Sequence, residues 1–371
     1  MTQVKVIAMY LPQYHEIPEN SMFWGEGFTD WVCVKSAKPL FSGHREPRIP
    51  MNNNYYDLSK KKSLKWQIEI AKKYGIYGFG IYHYWFSSSR RVLTKPAEII
   101  LDNSDLDMPF FFAWDNTSWK RTWSNVPGND WAPLIDQKQR FESGYKILLE
   151  YDLGGKVDWK IHFDYLLKFF NDKRYIKIDN KPVFIIWNYS FEIEEMHQYW
   201  NILAKQHGFA GVEIIYQHNP RLRIPKELAR FIYEPAYSAW GGLFERIKKK
   251  VNQIIGKNET LNIYDYDTVW QKILERAKYN RDKNCLYGGF VGYDDTPRRG
   301  LRGNVILGAT PEKFSKYMLS LLEICNKNDK KFIFLTAWNE WGEGAYLEPD
   351  VEFHYEYLEA LKYALEMHEE V

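Results

Sequence analysis

The chain has 371 residues, 45% hydrophobic and 26% charged, which is an ordinary globular composition. Its 50 basic and 48 acidic side chains leave a net charge of +2, so charge gives no reason to expect a nucleic-acid partner. Three cysteines, Cys33, Cys285 and Cys325, are odd in number and lack CxxC spacing, which argues against a disulfide framework or a zinc site and fits a reducing compartment.

The N-terminal run Val4–Met9 reads as a first strand. It is too short for a signal-peptide core and has no basic stretch before it, so the expected location is cytoplasmic. No apolar run reaches the roughly 18–20 residues of a membrane span, and no transmembrane segment is expected. Further strand-like runs follow at Tyr77–Tyr82, Pro109–Trp114, Pro182–Trp187, Val212–Gln217, Arg230–Tyr233, Tyr287–Val291 and Phe332–Ala337. Several are apolar on both faces, as in a parallel sheet covered by helices. Helical spacing of apolar residues appears over Leu64–Tyr74, Asp158–Phe170, Ile193–His207, Pro311–Lys327 and His354–His368. Thr310 before Pro311 is a good helix start, and Gly75 and Gly208 are good helix ends.

This alternation predicts an α/β fold, a (β/α)8 barrel forming one domain over 1–371. A doubly wound sheet is the rival, but it wants a glycine-rich turn after its first strand, and Tyr10-Leu-Pro-Gln-Tyr-His15 has no glycine. Long loops are expected after the first strand, roughly Gln13 to Leu58, and between strands six and seven. The latter, 236–284, is expected to hold a helical insertion and carries the basic run Arg246–Lys250.

Reactive residues in such barrels gather where strands end. The strand ends here carry Tyr10, Gln13, Tyr14 and His15; Tyr82, His83, Tyr84 and Trp85; Trp114, Asp115 and Asn116; Trp187 and Asn188; Gln217 and His218; and Glu234. Strand seven adds Asp294 and Asp295, with Arg298 shortly after, and strand eight adds Trp338, Asn339, Glu340, Trp341 and Glu343. One polar residue after a strand is usually a turn former or a cap. So many together suggest a site. His83, His15 and His218 read equally well as packed histidines, and no three histidines show metal-ligand spacing, so no metal and no cofactor is expected. The Phe23–Trp31 loop, with Trp24 and Glu26, reads either as a cleft wall or as an apolar plug over the barrel mouth. Asp294–Arg299 reads either as a salt-bridged surface turn or as a hydroxyl- or phosphate-recognising loop. Two Asp-x-Asp patterns, Asp105-Leu-Asp107 and Asp265-Tyr-Asp267, are short and badly placed for a nucleotide-sugar metal site.

The aromatic share is high, 17% with 15 Trp and 27 Tyr. An aromatic-rich core uses most of these rings, and a carbohydrate cleft would use the rest. Glu340 and Glu343, set among Trp338, Trp341, Gly342 and Gly344, are the leading acid–base pair, with a capping or surface pair as the alternative. Two carboxylates three residues apart on one turn share a side, with Cβ atoms ~5–6 Å apart. Direct double displacement at a sugar needs carboxylates on opposite faces of the anomeric carbon. A pair this close more easily places one carboxyl at the glycosidic oxygen and the other at a neighbouring hydroxyl.

Five segments, Ala8–His15, Phe23–Trp31, Tyr77–Trp85, Asp294–Arg299 and Thr336–Gly344, resemble the WbsX family of bacterial O-antigen and capsule gene clusters, commonly labelled glycosyltransferases. That family is similar in turn to the endo-α-mannosidases and endo-α-mannanases, which are (β/α)8 barrels with a related Trp-Asn-Glu-Trp-x-Glu-Gly segment. The resemblance implies a retaining enzyme acting on an oligo- or polysaccharide, lipid-linked or free. Glu340 would be the base on the sugar's 2-hydroxyl and Glu343 the general acid/base. Gly342 departs from the pattern, since those hydrolases carry His at that position. Alternatives are a glycosyltransferase using the same site and a non-catalytic saccharide-binding barrel.

Overall fold

The computed structural model describes residues 4–120, 147–240, 261–280 and 282–369. Eight parallel strands close into a barrel: β1 Lys5–Tyr10, β2 Gly78–Ser87, β3 Phe110–Trp114, β4 Lys181–Ile186, β5 Glu213–Gln217, β6 Ala229–Phe231, β7 Cys285–Phe290 and β8 Phe332–Thr336. Each strand pairs with its sequence neighbours, and β1 closes the ring by pairing with both β2 and β8, Ala8 lying opposite Phe79 and Leu335. This is the predicted (β/α)8 barrel, and every predicted strand lies on one of these eight. The main departure is β2, which runs on to Ser87 because Tyr84 and Trp85 pair with a short antiparallel strand, Arg90–Val92.

Among the described residues, the longer helices are α1 Pro18–Trp24, α2 Asp30–Ser36, α3 Lys61–Lys73, α4 Lys95–Asp102, α5 Lys156–Phe170, α6 Phe191–Gln206, α7 Tyr266–Tyr279, α8 Pro311–Lys327 and α9 Glu356–Glu369. The predicted boundaries of α8 hold: the Thr310 hydroxyl accepts the Lys313 N–H, and Pro311 sits in the first turn. Gly75 and Gly208 follow α3 and α6 with φ of 88° and 84°, a region closed to most side chains. The long first loop folds into α1 and α2 and returns to the barrel at Leu58, whose N–H donates to the Tyr14 carbonyl. In the segment expected to hold a helical insertion, the described residues form a turn of helix, Ala236–Ala239, then a strand, Asn262–Asp265, then α7. Helix α7 packs on α8 and β7, as the crossover of a barrel should. Residues 241–260, with the Arg246–Lys250 run, lie outside the described residues.

The pleat decides which strand residues reach the barrel axis. On β3, β6 and β8 the inward set includes Phe111, Phe231 and Phe334, with ring centroids 6.1 Å apart for Phe111–Phe334 and 5.0 Å for Phe231–Phe334. These rings fill the barrel below its mouth. The outward set packs under the helices, where Trp85, His162, Trp114 and Trp200 form one aromatic layer. Among the described residues no helix is long and apolar enough to cross a membrane.

Candidate active site

Strand β8 delivers its chain to a small hairpin. Asn339–Glu340 pairs antiparallel with Ala345–Tyr346 across a single 3-10 turn, Trp341–Glu343. Gly344 completes the turn at φ 55°, with the Arg48 guanidinium packed where a Cβ would stand. The hairpin is pinned from below. The Asn339 amide takes the Leu11 N–H at 2.8 Å and returns a bond to the Leu11 carbonyl at 3.0 Å, copying a strand pair at the end of β1. The Trp341 indole N–H donates to Glu348 at 2.6 Å, its backbone N–H donates to the Tyr14 hydroxyl at 3.0 Å, and its ring stacks on Tyr346 at 3.7 Å.

So held, Glu340 and Glu343 turn to the same guanidinium. Arg298, on the short helix Thr296–Arg299 after β7, donates from Nη2 to Glu340 at 2.6 Å and from Nη1 to Glu343 at 2.8 Å. Its Nη2 also donates to Asp30 of α2 at 2.6 Å. Helix α2 and the Thr296–Arg299 turn both pack on the Trp341–Glu343 turn, so three separate loops meet at one cation. Gly342 makes this possible, because a Cβ there would lie 2.6 Å from Arg298 Nε. The Glu340 side chain is 7% exposed and that of Glu343 21%. Burial pushes the Glu340 carboxyl well above its usual range; Arg298 opposes this, and the charges of Glu343 and Asp30 add to it. Asp30 is also raised, mainly by burial, against the pull of Arg298. Burial works against the Arg298 charge, but Asp30, Glu340 and Glu343 outweigh it and hold the guanidinium protonated.

The mouth beside Glu340 is aromatic. Tyr82 and Tyr84 come from the inward face of β2 with ring centroids 6.3 Å apart, and Trp187 after β4 stands edge-on to Tyr82 and to Tyr233, 5.3 Å from each. The Tyr82 and Tyr233 hydroxyls are 3.4 Å apart. Gln13 donates to the Tyr84 hydroxyl at 2.6 Å, while its buried Oε1 has no partner among the described residues. Trp24 stacks on Phe28 and stands behind Tyr84 through Trp119.

Other expected site residues lie away from this cluster. Tyr10, His83, Trp85 and Trp114 have the outward parity of their strands: Tyr10 donates to Gln67 of α3, His83 shares a hydrogen bond with His162 of α5, and Trp85 stacks on that same imidazole at 4.2 Å. The Trp114 indole donates to the Trp85 carbonyl. Burial lowers His83 to about 3, so it stays neutral. Trp338 and Trp341 are fully buried under the hairpin, Glu26 is exposed, and His15 is buried with its ring lowered by burial. Asn116 and Asn188 bond each other reciprocally, closing the ends of β3 and β4. Gln217 is half-buried at the end of β5, and His218 lies against Tyr237. Glu234 caps the turn Ala236–Ala239 through Ser238 and pairs with Arg276, and burial raises it to about 7.

Asp295 accepts from the Asn304 N–H and pairs with Arg299, and burial raises it to about 6. Asp294 accepts from Thr296, His44 and Arg48; burial works to raise it, but these partners hold it below the usual carboxylate range. His44, Glu46 and Asp294 are the one grouping of three potential metal ligands among the described residues. Arg48 bonds both of its acids, so a guanidinium already supplies the positive charge there. The Asp-x-Asp patterns have structural roles: Asp105 and Asp107 pair with Lys61 and Lys72, Asp265 caps α7, and Asp267 pairs with Lys313.

Reading the sequence did not single out Asp30, Tyr233 or Arg48. Asp30 was visible only as one more acid in the Phe23–Trp31 loop, and nothing local marks it as the partner of an arginine 268 residues away.

Comparisons with known proteins agree with this architecture. The chain is 26% identical over 368 residues to the uncharacterised protein WxcX of Xanthomonas campestris pv. campestris, strain B100, covering 97% of this chain and 49% of that protein. It thus spans about half the length of the curated relatives it matches. The solved structure of the GH99 endo-α-mannosidase from Bacteroides thetaiotaomicron is similar in fold, with a TM-score of 0.56 at 14% identity, over 100% of this chain and 99% of that one. A glycoside hydrolase-like protein aligns with a TM-score of 0.59 at 14% identity, covering 98% and 94%. The model of the family described as glycosyltransferase WbsX matches residues 6–361, nearly the whole barrel and every element of the site, and the chain belongs to that family.

Proposed function

We propose that the barrel is a retaining carbohydrate-active enzyme that cleaves or transfers α-linked glycosyl units of a bacterial polysaccharide, endo-acting and with help from the sugar's own 2-hydroxyl. The observation that carries this reading is the convergence of Glu340 and Glu343, from one 3-10 turn, on one guanidinium beside an aromatic mouth. Both carboxyls lie on the same side of the turn, which suits two neighbouring oxygens of one sugar better than the two opposite faces of its anomeric carbon. In this reading one proton shared by the two glutamates rests on Glu343 once the sugar is bound, and Glu340, ionised against Arg298, takes the 2-hydroxyl proton. The freed oxygen bonds to the anomeric carbon as the glycosidic bond breaks, and Glu343 gives its proton to the departing oxygen. Glu343 then deprotonates water or an acceptor hydroxyl, which opens the anhydrosugar, and Glu340 returns its proton to the 2-oxygen. Two inversions leave the configuration retained.

Burial makes the Glu340 carboxylate a stronger base than a solvated one, while Arg298 keeps it from standing uncompensated. Tyr82, Tyr84 and Trp187 supply ring faces and edges for a pyranose, and the unpartnered Gln13 Oε1 would accept from a sugar hydroxyl. A glycosyltransferase using the same acids is the second reading, favoured by the family's own description. A saccharide-binding barrel without catalysis has no need of a desolvated glutamate in its cleft. A lipid-linked substrate and a cytoplasmic location belong to the same proposal; the three buried free cysteines support the latter.

The test is turnover of a panel of activated aryl α-glycosides and α-linked oligosaccharides without nucleotide sugar, comparing the native protein with Glu343→Gln. A loss of about 10²–10⁴-fold is expected. Near-normal turnover by the variant would sink the assignment, and strict dependence on a nucleotide sugar would favour the transferase.

A further inference from the structure

Asp30 has no part in the proposed mechanism, yet it is buried at 2% exposure and spends its carboxylate on the same Nη2 that serves Glu340. Counting charge makes the arrangement unusual. Arg298 brings one positive charge and Asp30, Glu340 and Glu343 bring three potential negative ones. Tyr82, Tyr84 and Tyr233 also lie within electrostatic reach of Glu340, and the Tyr14 hydroxyl accepts from the Trp341 N–H. Burial holds all four phenols neutral, and the further charges near Glu343, Arg299 and Asp295, offset each other as a pair, so Arg298 is the one cation bonded to the three acids among the described residues. A largely buried set with a surplus of two negative charges is costly, and the cheapest remedy is to keep a proton.

We propose that Asp30 is a positioning residue of this site: it anchors Arg298 from α2 and, as a third carboxylate on one guanidinium, makes the Asp30–Glu340–Glu343 group hold a proton that Arg298 alone would let go. The role matters most when Glu340 becomes neutral, as it does on taking a hydroxyl proton in the proposed function, on which this catalytic consequence rests. Arg298 then has Asp30 on α2 and Glu343, which has just given up its proton, as anionic partners and stays in place, ready to receive the Glu340 carboxylate again. Without Asp30, one guanidinium would face two glutamates and stabilise both as anions, and Glu340 would become a weaker base.

The experiment needs no substrate. Protein labelled with 13C at the glutamate carboxyls is titrated by NMR, with the Glu340 and Glu343 resonances assigned by Glu340→Gln and Glu343→Gln. In Asp30→Asn, which keeps the shape and an acceptor for Arg298, the Glu340 midpoint is expected to move to lower pH. Asp30→Ser removes the same charge and serves if the asparagine variant does not fold. If neither folds, Glu343→Gln must move Glu340 in the same direction by the same count of charges. An unmoved or raised Glu340 midpoint in the folded variant overturns the proposal. A purely structural Asp30 would change stability and leave the titration where it was. Should the midpoint fall as expected while the native protein cleaves no glycoside, the functional reading fails and the role of Asp30 in the charge balance stands.

Discussion

Replacing Gly342 by alanine would put a methyl group against the Arg298 guanidinium, 2.6 Å from Nε and 3.0 Å from Cζ and Nη2. Gly342 is not among the residues with positive φ, so the backbone accepts alanine and the whole effect is one of space. Ordinary contact between such atoms is about 3.5 Å, so the guanidinium must withdraw by about 1 Å. Its bonds to Asp30, Glu340 and Glu343 are 2.6, 2.6 and 2.8 Å long, and such a stretch takes one or two of them out of hydrogen-bond range. Each bond to a charged group contributes about 1.5–3 kcal/mol, and carboxylates left buried without a partner cost more, so the expected loss is about 2–5 kcal/mol. Urea denaturation at neutral pH reads it directly. The decisive arm is a double-mutant cycle: with Arg298→Ala the space beside residue 342 is open, and adding alanine there should cost less than about 0.5 kcal/mol. Equal costs in both backgrounds, or a Gly342→Ala protein as stable as the native one, would refute the steric argument. Histidine at this position would need still more room and would displace Arg298 altogether.

Glu348 accepts from Tyr56, Gln67 and Trp341, yet burial raises it from the ordinary 4.5 to about 7. A raised carboxyl favours the fold while protonated, so this contribution is complete below pH 4.5 and lost as pH rises through 7; at about 1.4 kcal/mol per tenfold it amounts to about 3 kcal/mol. Glu348→Gln should therefore lose less stability than the native protein between pH 5 and pH 8, and parallel pH profiles of the urea midpoint would contradict this. Asn339→Ala strands the buried N–H and carbonyl of Leu11 and is expected to cost about 2–4 kcal/mol in thermal or urea unfolding, with an unchanged midpoint as the adverse result. Phe334→Ala empties the centre of the Phe111–Phe231–Phe334 layer and should cost about 3–5 kcal/mol; a loss below about 1 kcal/mol would mean that the barrel interior is not packed as described.

The barrel was legible because its strands are apolar on both faces and its helices keep their period, so β8 and α8 could be read within a residue of their true ends. The two glutamates stood out for a similar local reason, flanked by tryptophan and glycine. The face of each strand-end residue was harder to read. Tyr82-His83-Tyr84-Trp85 looks like four candidates in a row, but a pleat sends alternate residues to opposite sides, and a strand buried on both faces gives no polar contrast to tell which. Tyr82 and Tyr84 reach the mouth, while His83 and Trp85 pack under α5. Asp30 was hidden for a different reason: its partner is set by the closing of the ring, and no periodic pattern along the chain encodes that meeting.

The clamp between Asn339 and Leu11 joins residues 328 positions apart, across the seam where β8 meets β1. Glu340 is the next residue after that clamp. During synthesis, then, Tyr82, Tyr84, Trp187 and Tyr233 of the mouth are made before either acid. A ribosome-bound chain that has not yet released its last strand lacks both Glu340 and Glu343. Under the proposed function, reactivity toward sugars would arise only in the step that completes the cylinder, and a truncated barrel would lack it.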